Sequence, residues 1–194
     1  MSERYQKIIG ICGVATVGKD TLFKIINSIN PAITRLALAD ELKLDCDAFF
    51  RQKLGISAFT TDIKEKNLIR PLFVDYGDIK RKQSLGTYWT SLLQPKIEDC
   101  MSRGDIPCVT DIRYDEYQGV DELDWIKKNN GVLIHVSRRE QGVLIEPAND
   151  REKINNPRLM AAADYKLVWS TSSDISYLLD CVNLQLGGFI ETIR

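Results

Sequence analysis

Nine residues near the start of the chain, Gly13-Val14-Ala15-Thr16-Val17-Gly18-Lys19-Asp20-Thr21, have the types and spacing to hold phosphate. Two glycines separated by four residues, the second followed by lysine, form the pattern of a P-loop. The glycines let the backbone turn until successive N–H groups point at phosphate oxygens, and a following helix presents its positive end to the same place. The Lys19 ammonium then reaches the outer phosphates. With 12 glycines in 194 residues, chance produces roughly 0.05 such patterns in a chain of this size. The contacting set expected from this loop is Gly13, Val14, Thr16, Gly18, Lys19, Asp20 and Thr21.

The loop departs from the general pattern at one place. A Ser or Thr normally follows the lysine and ligates Mg²⁺, whereas Asp20 stands there and the hydroxyl comes one residue later, at Thr21. Asp20 can hold Mg²⁺, directly or through water, help activate an acceptor phosphate, or cap the helix that begins here. Thr21 is then placed for the α-phosphate. A second candidate is Asp111-Ile112-Arg113. An Asp at a central strand end beside a P-loop orients Mg²⁺ or its waters, and Arg113, two residues on, points to the same rim and can clamp an anion.

Two further segments carry cations. Lys64, Lys66, Arg70, Lys80, Arg81 and Lys82 are interleaved with Tyr76, Tyr88 and Trp89, a combination suited to a nucleoside monophosphate with phosphate on Arg70 and the base stacked on Trp89. For Trp89 the alternative is core packing, because Leu93, Ile97 and Cys100 follow at helical spacing. Thr87 is the expected N-cap of that helix. Arg138, Arg139, Arg151 and Arg158 fall in a stretch with Gly142, Pro147 and Pro157 and little apolar period, which reads as a mobile lid over a transferred phosphoryl group. His135, the one histidine, lies in an apolar run and reads as a satisfied core or strand-end residue.

The elements that must position these groups alternate. Strands are expected at 7–12, 34–38, 107–110, 132–136 and 165–169, and helices at 19–27, 41–50, 87–101, 116–128 and 174–186. That alternation implies an α/β fold with a central, mostly parallel five-stranded sheet covered on both faces. Ligands gather beyond the carboxyl ends of such strands, where the glycine loop, Ala39-Asp40, Asp111-Ile112-Arg113 and Ser137-Arg138-Arg139 all fall. No linker or repeat divides the chain, so residues 1–194 read as one P-loop domain, with a substrate-binding segment at about 40–90 and a lid-like segment at about 138–160.

Composition narrows the rest. Lys plus Arg total 26 against 27 for Asp plus Glu, so no global field draws the chain to nucleic acid or membrane, and an anionic ligand must be held by a local cluster. Five cysteines without a C-x-x-C spacing read as reduced thiols of a cytoplasmic protein. The expected partners are small-molecule nucleotides, with no nucleic acid, no membrane and at most a second copy in a homodimer.

On Gly13 to Thr21, Leu38-Ala39 before Asp40, Arg70-Pro71-Leu72 to Tyr76-Gly77, Tyr88-Trp89, Asp111-x-Arg113 and Ile134-His135-Val136-x-Arg138, the chain resembles the phage-type deoxynucleoside monophosphate kinases. That resemblance implies a P-loop kinase moving the γ-phosphoryl of ATP, with Mg²⁺, to a deoxynucleoside 5′-monophosphate for DNA precursor synthesis. Lys19, Asp20 and Thr21 then serve ATP, and Trp89, Asp111, Arg113 and Glu116 the deoxynucleotide. Arg70 joins the acceptor set from the basic cluster. Lys19, Asp20, Arg113 and Arg138 are the expected catalytic groups, and Asp20 and Asp111 the metal ligands. The alternatives are a P-loop kinase for phosphomevalonate or dephospho-coenzyme A, or an ATP-binding module that transfers nothing.

Overall fold

Strand β1 (Ile9–Cys12) is buried on both faces, and its pleat assigns alternate residues to two cores. Ile9 and Ile11 join one cluster with Ile134, Val136 and Leu167, while Ile8 and Cys12 join another with Val109, Ile112 and Leu133. The computed structural model describes residues 7–117 and 119–193. Within them the chain runs β1, α1 (Lys19–Ile29), β2 (Ile33–Leu36), α2 (Leu38–Leu54), α3 (Ile63–Gln83), α4 (Tyr88–Ser102), β3 (Ile106–Ile112), α5 (Glu122–Lys128), β4 (Val132–Glu140), β5 (Val143–Leu144), α6 (Asp150–Ala162), β6 (Tyr165–Ser170) and α7 (Ile175–Ile193).

The sheet is mostly parallel. Its long strands lie in the order β2-β3-β1-β4-β6, and β5 pairs antiparallel with the end of β4. This is the expected α/β architecture with one added two-residue strand. Leu22, Ile25 and Ile26 of α1 pack one face together with Leu178, Val182, Leu186 and Phe189 of α7. Leu38 of α2, Trp89, Leu93 and Ile97 of α4, Ile126 of α5 and Leu159 of α6 cover the other. Register aligns Cys12 with His135, so β1 ends beside the middle of β4, which runs on past the glycine loop to Glu140. No helix among the described residues is long and apolar enough to cross a membrane.

Several boundaries differ from the sequence expectation. The second strand stops at Leu36 and α2 starts at Leu38, because Asp111 supplies the helix start from outside the segment. The helix expected from Glu116 begins only at Glu122, where the Asp121 carboxylate accepts the first N–H. Helix α3 was not among the expected elements: over 21 residues its buried positions are Ile69, Gly77 and Arg81, and it contains Pro71. The segment read as a lid comprises the end of β4, the turn to β5 and helix α6.

Glycine is required at the first loop position. Gly13 has φ 133°, and a Cβ there would stand 2.3 Å from the Val136 carbonyl oxygen, a fixed atom of β4. Gly55, at φ 67°, has nothing within 4 Å of the same construction. Gly13→Ala is therefore expected to lose ~1–3 kcal/mol or more, and Gly55→Ala about 1 kcal/mol, compared by urea denaturation. Equal losses would show that the close approach to β4 does not constrain the loop.

Candidate active site

The turn from β1 into α1 uses three left-handed residues, Gly13 (φ 133°), Thr16 (φ 65°) and Gly18 (φ 100°). Trp169 of β6 braces it from below. The indole N–H donates to the Val17 carbonyl at 2.8 Å, and a Cβ on Gly18 would meet the ring at 2.8 Å. The Lys19 ammonium folds back across the loop and donates to the Gly13 and Val14 carbonyls at 2.7 and 2.8 Å. Burial, followed by the nearby Arg113 charge, lowers its pKa from 10.5 to about 8, although Glu152 and Asp111 pull the other way. Thr21 sits half-buried in the first turn of α1. Asp20 does not cap that helix. Gly18 holds the N-cap position without a side-chain bond, and the Asp20 side chain, 73% exposed, lies 3.5 Å from Arg35.

Asp111, at the end of β3, is buried, and both its oxygens are engaged. They accept from the backbone N–H groups of Leu38 and Ala39 at 2.9 and 2.8 Å. Ala37, at the N-cap of α2, has no side chain to do this. The Asp111 carboxylate, expected as a metal ligand, thus serves as the cap of α2. Arg113 is exposed on the same rim, charge-coupled to Lys19.

What holds Arg113 there was not legible in the sequence. The Glu122 carboxylate accepts from the N–H groups of Arg113 and Tyr114 at 2.7 and 3.1 Å and from Arg81 at 3.2 Å. Burial pushes its pKa up to about 8, although the Arg81 charge and the Arg113 N–H pull the other way. Asp121 takes both terminal nitrogens of Arg81 at 3.0 Å and the N–H groups of Glu116 and Tyr117. The Arg81 guanidinium stacks 3.6 Å from the Tyr114 ring centroid. Arg81 belongs to the basic cluster of residues 64–82 and is its buried member. Glu116 lies in this loop, 3.6 Å from Arg81 and bonded to Asn155.

Trp89 is only 5% exposed and belongs to the core with Leu93 and Ile97. Its N–H points to the Gly77 carbonyl at 3.4 Å, and Tyr88 and Tyr76 meet it edge-on. The expected open ring face is absent, which corrects the reading of Trp89 as a base platform. Thr87 holds the N-cap position of α4, as expected, but without a side-chain cap bond. Its hydroxyl donates to the Ser84 carbonyl, and the Ser84 hydroxyl accepts from Tyr88 N–H instead. Arg70 is exposed on α3, and eleven residues of helix put it about 16 Å along the axis from Arg81; it is not brought to the rim.

The lid-like segment is docked. Arg151 pairs with Asp78 of α3 at 2.7 Å, Asn155 accepts from Asp115 N–H at 2.8 Å, and Arg158 donates to the Asp115 carbonyl at 2.6 Å. Glu152 accepts from the N–H of Ala15, inside the glycine loop, at 3.1 Å. Arg138, half-buried on β4 opposite Trp169, has an Nε without a hydrogen-bond partner. His135 is buried and bonded to Asn156 at 2.9 Å, the satisfied role expected for it. It faces a cavity of about 540 Å³ between the loop (Val14, Val17), the β4–β5 turn and Met160 of α6.

Among the described residues no group of three or more His, Cys, Asp or Glu side chains is placed to hold a metal ion. A Mg²⁺ ion takes one or two carboxylates plus phosphate oxygens, and the exposed Asp20 beside Lys19 fits that lesser requirement. No protein-family model matches the sequence, and no curated protein matches it. The structure is similar to the dephospho-CoA kinase from Campylobacter jejuni, with a TM-score of 0.47 and 15% identity over 93% of this chain and 98% of that one.

Two outcomes follow from the geometry. A bound phosphate restores the charge that burial disfavours on Lys19, so ATP binding at about pH 9 takes up about one proton and far less below about pH 7. Calorimetry in buffers of different ionisation enthalpy measures this, with Lys19→Met as the control. No uptake at pH 9 would place the ammonium away from phosphate. Trp89→Ala removes a core ring and is expected to cost ~3–5 kcal/mol in denaturation, with ATP affinity of the folded protein unchanged. Weakened ligand binding at unchanged stability would return Trp89 to the site.

Proposed function

We propose that this chain is an ATP-dependent phosphotransferase whose acceptor is a small phosphorylated molecule, with a deoxynucleoside 5′-monophosphate as the leading candidate. The observation that carries the reading is the pairing of two strand ends. Lys19, on the loop after β1, and Arg113, after β3, bring two cations to one rim, close enough for the Arg113 charge to lower the Lys19 pKa. Phosphoryl transfer needs positioning and neutralisation of charge on the moving group more than covalent chemistry, and two cations around a loop of backbone donors supply both. Lys19 holds the outer phosphates, Arg113 clamps the acceptor anion, and Asp20 is the carboxylate available to Mg²⁺. When bound with the nucleotide, Mg²⁺ adds charge neutralisation across its phosphates.

The engaged state of Asp111 supports an acceptor that arrives already ionised. An attacking phosphate oxygen needs no general base, whereas a hydroxyl acceptor does, and both Asp111 oxygens already serve α2. The burial of Trp89 favours a second reading to the extent that it removes the stacked-base argument, so phosphomevalonate and dephospho-coenzyme A belong in the same test.

The experiment is γ-phosphoryl transfer from ATP to a panel containing the four deoxynucleoside monophosphates, phosphomevalonate and dephospho-coenzyme A. One or more deoxynucleotides are expected to be phosphorylated. Lys19→Ala should lose far more than tenfold in turnover, a factor worth about 1.4 kcal/mol, and Arg113→Lys should raise the acceptor KM with little change for ATP, since it forfeits the two-pronged donor geometry. Phosphorylation of dephospho-coenzyme A alone would select the second reading, and acceptor-independent hydrolysis would replace the kinase with a nucleotide-binding module.

A further inference from the structure

We propose that Glu152 occupies an oxygen subsite of the glycine loop, so that nucleotide phosphate and helix α6 compete for the same backbone N–H. The inference rests on the reading of Gly13 to Thr21 as a phosphate site and adds to it how that site is controlled.

Glu152 is the third residue of α6. The helix is capped by Asn149, whose side chain accepts from the Glu152 N–H at 2.9 Å. In the reciprocal arrangement called a capping box, the acidic side chain at this position reaches back to the N-cap residue itself. Here one oxygen does local work of that kind, accepting from Ala148 N–H at 2.9 Å. The other leaves the helix and accepts from Ala15 N–H at 3.1 Å, 137 positions away in sequence. A carboxylate oxygen offers that N–H the same acceptor chemistry as a phosphate oxygen, and Glu152 is also charge-coupled to Lys19. It thus meets two of the groups a terminal phosphate would meet.

Occupancy by both is excluded on two grounds. One N–H directed at a single acceptor cannot serve a second at full strength, and two anions at this separation repel. A phosphate that takes Ala15 must therefore release Glu152. The consequence spreads through α6, because Arg151 binds Asp78 of α3 and Asn155 and Arg158 bind Asp115, two residues beyond Arg113. Nucleotide entry loosens the first turn of α6 and with it a restraint on the loop that carries the acceptor clamp.

The test combines ATP titration calorimetry with hydrogen exchange of the amides at 150–156, on the full chain and on Glu152→Gln and Glu152→Asp. Glutamine removes the charge, and aspartate keeps the charge but is too short to reach Ala15. Competition for the N–H predicts that both variants bind ATP about tenfold more tightly than the native chain. It also predicts that ATP speeds exchange at 150–156 several-fold in the native protein, and that both variants exchange fast without it. Exchange in β1 and β4 reports that each variant is folded. If only the glutamine variant gains affinity, a general charge effect replaces the competition. If neither gains and ATP leaves α6 unmoved, Glu152 is a helix residue only, and the phosphate site stands without it. If no form binds ATP, the loop reading itself falls, and this inference with it.

Discussion

A chain that reverses from a buried strand into a helix within six residues leaves backbone N–H groups aimed outward, and each needs an acceptor. An unpaired buried donor costs about 1–3 kcal/mol, so such a turn persists only where its surroundings hold it. In this protein the support comes from three directions. The Val136 carbonyl of β4 lies directly behind Gly13, the Trp169 indole of β6 holds the Val17 carbonyl, and the Lys19 ammonium ties the Gly13 and Val14 carbonyls together. The loop is thus clamped on its carbonyl side, while on its amide side the Ala15 N–H meets the Glu152 carboxylate. That polarity is what the proposed phosphate site rests on.

The rim beside it is built by a different device. The segment after β3 has no regular structure of its own, so buried carboxylates anchor it: Asp111 fastens β3 to the start of α2, while Asp121 and Glu122 collect the N–H groups of residues 113, 114, 116 and 117. Arg81 balances their charge from α3. Removing one member of a buried ion pair typically costs 3–5 kcal/mol, because its partner is left uncompensated. That penalty holds α3, α5 and the Arg113 loop in one arrangement.

The glycine loop was legible because its chemistry is local: a turn, an amide cradle and a lysine fall within nine residues, and flanking apolar runs announce the strand and the helix. The mostly parallel sheet followed from the alternation of strands and helices, whereas the order of its strands did not. Helix α3 was hidden because it buries only Ile69, Gly77 and Arg81 and contains Pro71, so no apolar stripe marks it. Arg81, Asp121, Glu122 and Glu152 were hidden for another reason. Their partners lie up to 137 positions away, and nothing in the spacing of a single charged residue tells a solvated one from a buried one. Trp89 carried both meanings in sequence, and the edge-on packing of Tyr76 and Tyr88 decides for the core.

The central claim is that the amides of the loop between β1 and α1 receive phosphate. Amide chemical-shift mapping by nuclear magnetic resonance, with ATP added to isotopically labelled protein, tests it most directly. The account predicts large shifts at residues 13–21, led by Ala15, Gly18 and Lys19, with smaller ones at Arg113 and the first turn of α6. Shifts confined to the His135 cavity or to α3, with residues 13–21 unmoved, would contradict it.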